Sequence, residues 1–184
     1  FTPQWLLDLG VRWDKFETEL KTNATGEKIE NDTDFFSYQA GLTFKPAENG
    51  SIYASFATSA NPVGVDAGDG SETAVTAVNK DLDPEESRTF EIGTKWDLFN
   101  EKLNLTAAIF RTEKQNARIQ LDQNTYANIG ESKVDGIELG LNGNITDKWA
   151  VSAGYTYLDS EIVDAGFVNT AASGQPPVYI SSPN

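Results

Sequence analysis

Apolar and polar residues alternate along most of this chain, and this two-residue period limits the fold more than any other feature. Between positions 90 and 98, Phe90, Ile92, Trp96 and Leu98 are separated by glycine, threonine and charged residues. Alternation of this kind indicates a β-strand with one apolar face. Seven such series are present, and they begin at Trp5, Phe36, Ile52, Phe90, Leu103, Ile137 and Trp149. We therefore expect an all-β fold of about seven strands.

The connections between these series alternate in length. Short turns are expected at 46–50, 99–102 and 146–148, because few residues separate the apolar series there. The other connections are long and rich in Asp, Asn, Gly, Ser and Thr, which is typical of solvated loops. They cover approximately 17–34, 60–87, 116–130 and everything after 159. The acids of Asp83-Pro84-Glu85-Glu86 are expected in water, at the end of such a loop.

The short turns predict the register of three antiparallel hairpins. Pairing Leu98 with Leu103 sets Trp96 opposite Leu105 and Ile92 opposite Ile109, so that apolar residues of the two strands match. The same agreement follows when Lys45 is paired with Ser51, and when Ile145 is paired with Trp149. A slip of one residue would move every apolar side chain to the other face, so the agreement in three hairpins is informative.

Composition excludes several functions. The formal net charge is −14, and no basic stripe is visible, so we expect no nucleic-acid partner. The chain contains neither His nor Cys, which removes the usual catalytic base, the thiol nucleophile and the thiolate metal site. We therefore expect neither an enzyme nor an intrinsic cofactor. No run of about 18 apolar residues exists, but strands can cross a membrane with only alternate residues apolar.

The apolar face has two possible environments: the core of a soluble sandwich, or lipid around an outer-membrane barrel. Three features favour the barrel. One edge of the sheet carries tight turns and the other carries long loops, the opposite face is strongly polar, and aromatic residues lie near both ends of the apolar series. These membrane-interface candidates are Trp5, Trp13, Phe36, Phe44, Phe90, Trp96, Trp149 and Tyr157.

Five stretches, in this order and spacing, resemble the central barrel of TonB-dependent outer-membrane receptors, and the ferric-siderophore branch most closely. They are YASFATS at 53–59, PEESRTFEIGTKW at 84–96, LNLTAAIFR at 103–111, GESKVDGIE at 130–138 and GYTYLD at 154–159. The resemblance implies a transmembrane antiparallel up-and-down β-barrel of 22 strands, closed by an N-terminal plug. We expect residues 1–184 to be an internal part of that barrel, with the plug absent.

The resemblance also implies a function. Such a receptor binds a ferric siderophore and imports it with energy from the TonB complex, which it contacts through an N-terminal region absent from this chain. It lies in the Gram-negative outer membrane, among lipid and lipopolysaccharide. Iron would enter only as part of the substrate. The alternatives are a passive porin-like channel, a soluble β-sandwich binding module and, more remotely, an outer-membrane hydrolase whose catalytic residues lie elsewhere.

Few residues stand out as ligand contacts. Cationic and aromatic side chains suit anionic ferric catecholates, which makes Lys80, Arg118 and Tyr126 the candidates in the loops. The acidic loop at 60–87 lacks the spacing of a calcium-binding EF-hand loop around Asp66 and Asp69, and we expect no metal site there.

Other residues are expected to face the barrel lumen. Glu91 and Lys95 share the polar face of one strand, where they would contact the plug or form an ordinary luminal charge network. Gly140 and Gly154 lie on the polar face of their hairpin, where they would give clearance for a plug or allow strand curvature.

Overall fold

The computed structural model describes residues 4–21, 26, 28–64, 79–122, 125–146, 148–164, 167–169 and 179–181. It contains one sheet of seven strands in the order β1-β2-β3-β4-β5-β6-β7. The strands are β1 Trp5–Lys21, β2 Lys28–Ala47, β3 Gly50–Asn61, β4 Glu85–Leu98, β5 Leu103–Asp122, β6 Thr125–Thr146 and β7 Trp149–Asp164. Two short strands, β8 Phe167–Asn169 and β9 Tyr179–Ser181, form a separate pair.

The large sheet is an up-and-down meander, because every strand pairs antiparallel with the next one along the chain. Within the described residues β1 and β7 each pair on one side only, so the sheet does not close. This confirms the all-β prediction with seven antiparallel strands. The described part of the chain has no helix of the length and apolarity needed to cross a membrane.

The predicted registers are confirmed through the middle of all three hairpins. Leu98 pairs with Leu103, and Ile92 with Ile109. Leu139 also lies opposite Tyr155 as predicted.

Two predicted pairs next to the turns are wrong. Trp149 pairs with Thr146 rather than Ile145, and the β2–β3 ladder passes from Phe44↔Ile52 to Ala47↔Gly50 without pairing Lys45 with Ser51. Register shifts occur at both places, because an extra residue on one strand is accommodated as a β-bulge where the hairpin closes.

The strands are longer than the sequence predicts. The expected loops at 17–34, 116–130 and after 159 are wrong, since β1, β2, β5, β6 and β7 continue into them. Charged and other polar residues dominate these extensions, and their few apolar residues, such as Leu20 and Ile29, form series too short to predict strands. Salt bridges join neighbouring strands instead, such as Lys28 with Glu19 at 3.0 Å and Lys133 with Glu161 at 2.7 Å. Each exposed salt bridge contributes little to the stability of the fold, so the extensions are held together mainly by backbone hydrogen bonds between the strands.

The apolar face of the sheet is exposed. Leu9 is 69% exposed and Val11 is 77% exposed, although both lie in the middle of the apolar series of β1. Among the described residues, Val63 is the one buried hydrophobic side chain, and no second sheet covers this face. The part of the chain that the structure describes therefore does not contain the core that a soluble sandwich requires.

Aromatic residues border the apolar face at two levels. Trp5 and Phe44 pair near the turn edge, with ring centroids 4.6 Å apart, and Trp13 pairs with Phe36 eight positions further along β1. Eight residues span about 27 Å along a strand, or roughly 20 Å of height for a strand tilted as in a barrel. Trp96 and Trp149 lie toward the turn edge, and Phe90 and Tyr157 toward the loop edge.

On the polar face, two glycines make room for aromatic rings from the neighbouring strand. A Cβ atom on Gly93 would overlap the phenol ring of Tyr53, and one on Gly136 would overlap the ring of Phe110. The rings thus cover the backbone of the glycine strands, a device that stabilises glycine in sheets. This seating of rings is a reason for glycine that the sequence did not suggest.

We predict that Gly93→Ala destabilises the full-length protein by about 1–3 kcal/mol, because the new methyl group displaces the ring of Tyr53. In a Tyr53→Ala background the same change should cost at least about 1 kcal/mol less, since the obstacle has gone. The free energy of unfolding of the wild type, the two single variants and the double variant is measured by denaturant unfolding in detergent micelles. Additive effects of the two substitutions would contradict the seating of Tyr53 on Gly93.

Candidate ligand-entry site at the loop edge

Four polar side chains converge on the polar face where β3, β4 and β5 leave the apolar band. Asn61 ends β3 and pairs with Glu85, the first residue of β4. Glu85 has the same alternation as Glu91, so both point to the polar face. Lys114 and Arg118 come from β5. We call Asn61, Glu85, Lys114 and Arg118 the rim cluster.

A bulge in β5 lies between Lys114 and Arg118, the two cations that reach Glu85. The register with β6 shifts between Lys114 and Ala117 and again between Ala117 and Arg118. Asn116 lies inside this irregular stretch with a φ of 54°, a left-handed conformation that Asn tolerates better than most residues. Its backbone carbonyl accepts a hydrogen bond from Nδ2 of Asn128 at 2.8 Å. The bulge therefore has a specific support on β6.

The carboxylate of Glu85 is the centre of the rim cluster. Its Oε1 accepts the backbone N–H of Arg118 at 2.9 Å. Its Oε2 lies 3.0 Å from both Nη2 of Arg118 and Nζ of Lys114, and 3.3 Å from Nδ2 of Asn61. Glu85 is only 7% exposed, and the side chain of Arg118 is 9% exposed. Buried charges persist in proteins when they are paired and hydrogen-bonded in this way.

The surroundings of Glu85 keep it ionised. Burial alone would raise the pKa of its carboxyl group, but the backbone N–H of Arg118 and the side chains of Lys114 and Arg118 outweigh burial and lower the pKa to about 2. At neutral pH the rim cluster therefore contains one carboxylate and two cations. The second guanidinium nitrogen of Arg118, Nη1, is buried without a hydrogen-bond partner in the described structure.

The chain segment that leads into β4, up to and including the first residue of that strand, folds against the same face. We call residues 79–85 the rim segment. It begins with a turn in which the N–H of Leu82 donates to the carbonyl of Asn79 at 3.1 Å. Nδ2 of Asn31 donates to the carbonyl of Lys80, and Nδ2 of Asn128 donates to the carbonyl of Asp83 at 3.0 Å. Asn31 lies on β2 and Asn128 on β6, so the rim segment is held from both sides of the β3–β5 region.

The prediction that the acids of Asp83-Pro84-Glu85-Glu86 lie in water is wrong for Glu85. Glu86 is exposed, as expected, whereas Glu85 is buried. The reason is that β4 starts at Glu85, and its alternation turns this side chain toward Arg118 and Lys114. The shared parity of Glu85 and Glu91 was a signal in the sequence, but the cations that pair with Glu85 lie some thirty residues further along.

The structure places the three ligand candidates differently. Lys80 is on the rim segment, where its side chain is 39% exposed and pairs with Asp81 at 3.1 Å. Arg118 is buried in the rim cluster. Tyr126 lies on β6 opposite Gln120 and is half-buried. No contact joins the three side chains into one surface among the described residues, and their role in binding stays a prediction.

Glu91 and Lys95 meet on the polar face through a third residue. The hydroxyl of Tyr53 donates to Oε1 of Glu91 at 2.6 Å, and Nζ of Lys95 lies 5.3 Å from the centre of the Tyr53 ring. The distance is within the range of a cation–π interaction. The sequence pointed to the charged pair but not to Tyr53, because this residue comes from the neighbouring strand.

The two glycines predicted to face a plug have different surroundings. A Cβ atom on Gly140 would meet the hydroxyl of Thr106, whereas on Gly154 its nearest neighbour would be a backbone carbonyl at 4.0 Å. Asp66 and Asp69 of the acidic loop lie outside the described residues. Within the described ranges, no three metal-ligating side chains form a group that could hold an ion.

Comparison with known proteins gives a consistent result. A family model described as "TonB dependent receptor-like, beta-barrel" matches residues 1–182. The chain is 66% identical over 171 residues to the probable TonB-dependent siderophore receptor PiuA of Acinetobacter baumannii, which covers 90% of this chain and 23% of PiuA. It is 35% identical over 147 residues to the catecholate siderophore receptor Fiu of Escherichia coli K12, which covers 77% of this chain and 19% of Fiu.

Solved structures agree with the sequence comparison. The crystal structure of PiuA from Acinetobacter baumannii superimposes with a TM-score of 0.85 and 61% identity, over 97% of this chain and 26% of that chain. The closed form of Fiu from Escherichia coli K12 gives a TM-score of 0.73 and 30% identity, over 88% of this chain and 26% of that chain. The chain thus spans about a quarter of the length of these relatives. With seven strands in meander order and a family match over nearly its whole length, this chain belongs to the TonB-dependent receptor-like β-barrel family.

Proposed function

We propose that this chain is part of the wall of an outer-membrane receptor that binds a ferric siderophore and imports it with energy transduced by TonB. The observation that carries the proposal is that the sheet of this family member has one apolar face and one polar, charged face. One face is apolar, exposed and bordered by aromatic residues, and the other holds Glu85, Glu91 and their cationic partners. Lipid suits the first face and a wet lumen suits the second.

The surroundings of the proposed receptor follow from the same faces. Exposed side chains such as Leu9 and Phe36 would contact the acyl chains of the outer membrane of a Gram-negative bacterium. The charged extensions of the hairpins, which include the pair of Lys133 and Glu161, would lie beyond the loop-edge aromatics, among lipopolysaccharide headgroups. Contact with the TonB complex belongs to a segment outside this chain.

The ligand of the proposed receptor is a ferric siderophore, and iron enters only as part of it. This choice rests on the names of relatives that are 66% and 35% identical, a siderophore receptor and a catecholate siderophore receptor. Ferric catecholates are anionic, and Lys80 and Tyr126 offer a cation and an aromatic ring at the loop edge. Arg118 would not contact the ligand directly, because its side chain is buried and its charge is already paired with Glu85. No chemical change of the ligand is required.

A TonB-dependence test separates the receptor from a passive porin-like channel. Cells that lack the gene for this protein should lose uptake of radiolabelled iron from the cognate ferric siderophore, and the restored gene should return it. In cells that lack TonB, the restored gene should give surface binding without uptake. Uptake that continues at the same rate without TonB would support the channel instead.

We predict that Lys80→Ala and Tyr126→Ala each weaken binding of the ferric siderophore by about three- to thirtyfold, the loss expected for one cationic or aromatic contact. Fluorescence quenching titrations of the full-length receptor measure the Kd. Lys148→Ala is the matched control, since this lysine is exposed at the opposite, turn edge of the sheet. A Kd that stays within twofold in both loop-edge variants would remove Lys80 and Tyr126 from the site.

A further inference from the structure

We propose that Glu85 is a positioning residue for ligand entry, which fixes the rim segment in one place across the polar face. On this view the rim segment is a rigid part of the receptor mouth, and the ligand passes beside it without displacing it. The inference rests on the proposed function, because it concerns the path of the same ligand.

The first support is that the carboxylate of Glu85 is buried and bound by several neighbouring side chains. This one carboxylate joins three strands, through Asn61 of β3, its own position at the start of β4, and Lys114 and Arg118 of β5. Removing one partner from a buried ion pair leaves an uncompensated charge and is strongly destabilising. Movement of the Glu85 end of the rim segment away from the wall would require this separation.

The second support is that the rim segment has two further anchors before Glu85, and they come from the strands on either side of β3–β5, which are β2 and β6. Asn31 binds the carbonyl of Lys80, and Asn128 binds the carbonyl of Asp83. Both asparagines use their amide groups on backbone atoms, so the hold does not depend on which side chains the segment carries. Asn128 also binds the carbonyl of Asn116 in the bulge, which links the rim segment to the element that orients Arg118.

The third support comes from the other end of the same connection. Pro62, Val63 and Gly64 follow β3 directly and are buried, and Val63 is only 1% exposed. Asn79 at the start of the rim segment is 4% exposed. Both described ends of the β3–β4 connection are therefore packed, in a sheet that otherwise has almost no core.

A fixed rim segment has a consequence for binding. The backbone of Lys80 is held by Asn31, while its partly exposed side chain pairs with the 83% exposed side chain of Asp81. A cation presented from an immobile backbone loses less freedom when it meets a ligand, which favours affinity. Glu85 thus acts on the ligand through the segment and does not touch it.

A cross-link between positions 83 and 128 tests whether the segment must move. Asp83→Cys and Asn128→Cys, joined by a short bis-maleimide in the full-length receptor, tie the rim segment to β6. Because Asn128→Cys removes the hydrogen bond to the carbonyl of Asp83, the untreated double variant measures the loss of that anchor, and we expect the cross-link to bring Kd and uptake rate back to within about threefold of wild type. The single-cysteine variants control for modification. Intact binding with lost uptake would overturn the proposal, since it would show that the segment has to swing away.

Glu85→Gln tests the positioning role, and Glu86→Gln is its matched control because Glu86 is the exposed neighbour. We expect Glu85→Gln to weaken siderophore binding about tenfold in the wild-type background, but to leave the Kd within about threefold when it is introduced into the receptor cross-linked between positions 83 and 128. Failure of the cross-link to rescue would overturn the proposal, because Glu85 would then act otherwise than through the segment. If Glu85→Gln does not assemble, Lys114→Met replaces it in the same test.

A measurement without ligand separates this inference from the proposed function. A nitroxide on Asp81→Cys should give a spectrum of restricted motion in the wild-type background and a more mobile one with Glu85→Gln. If the nitroxide shows restricted motion in the wild-type background but the receptor does not bind the siderophore, the rim segment is rigid as proposed and the proposed ligand is wrong. Equal mobility in the two backgrounds would overturn the positioning role of Glu85, whatever the receptor binds.

Discussion

Backbone hydrogen bonding between neighbouring strands is the interaction on which the rest of this structure depends. The described residues bury almost no hydrophobic side chain, so packing cannot hold the strands in place as it does in a globular core. The ladders run without interruption from Trp5↔Phe44 to Lys21↔Lys28 in the first hairpin. A ladder also fixes which side chains share a face, and this property separates the apolar face from the polar one.

Two groups of interacting side chains form on the polar face, one near its middle and one at the loop edge. Near its middle, Tyr53 lies over Gly93 and links Glu91 with Lys95, so one ring fills the space of a missing side chain and satisfies a carboxylate. At the loop edge, the rim cluster buries Glu85 among cations from β5. In both cases the residues come from adjacent strands, and neither group could form if the register slipped by one position.

Strand period and register could be predicted because they depend on local patterns. Leu98, Leu103 and the residues beside them alternate clearly, and the short turn between them leaves few possible registers. The strand extensions could not be predicted, because Lys28 and Glu19 are as polar as loop residues and pair only once the hairpin is formed. The bulges near Ala47 and Thr146 were missed for a similar reason, since one extra residue in a turn leaves the alternation further along unchanged.

The candidate site shows the same division. Family membership and the two-faced sheet were specified by the amino-acid sequence alone, because alternation, turn spacing and motif order are properties of the linear chain. The burial of Glu85, the seating of Tyr53 on Gly93 and the path of the rim segment between Asn31 and Asn128 were decided by the tertiary structure. Each of these joins residues from different strands, and only the folded sheet brings their side chains within hydrogen-bonding or van der Waals distance.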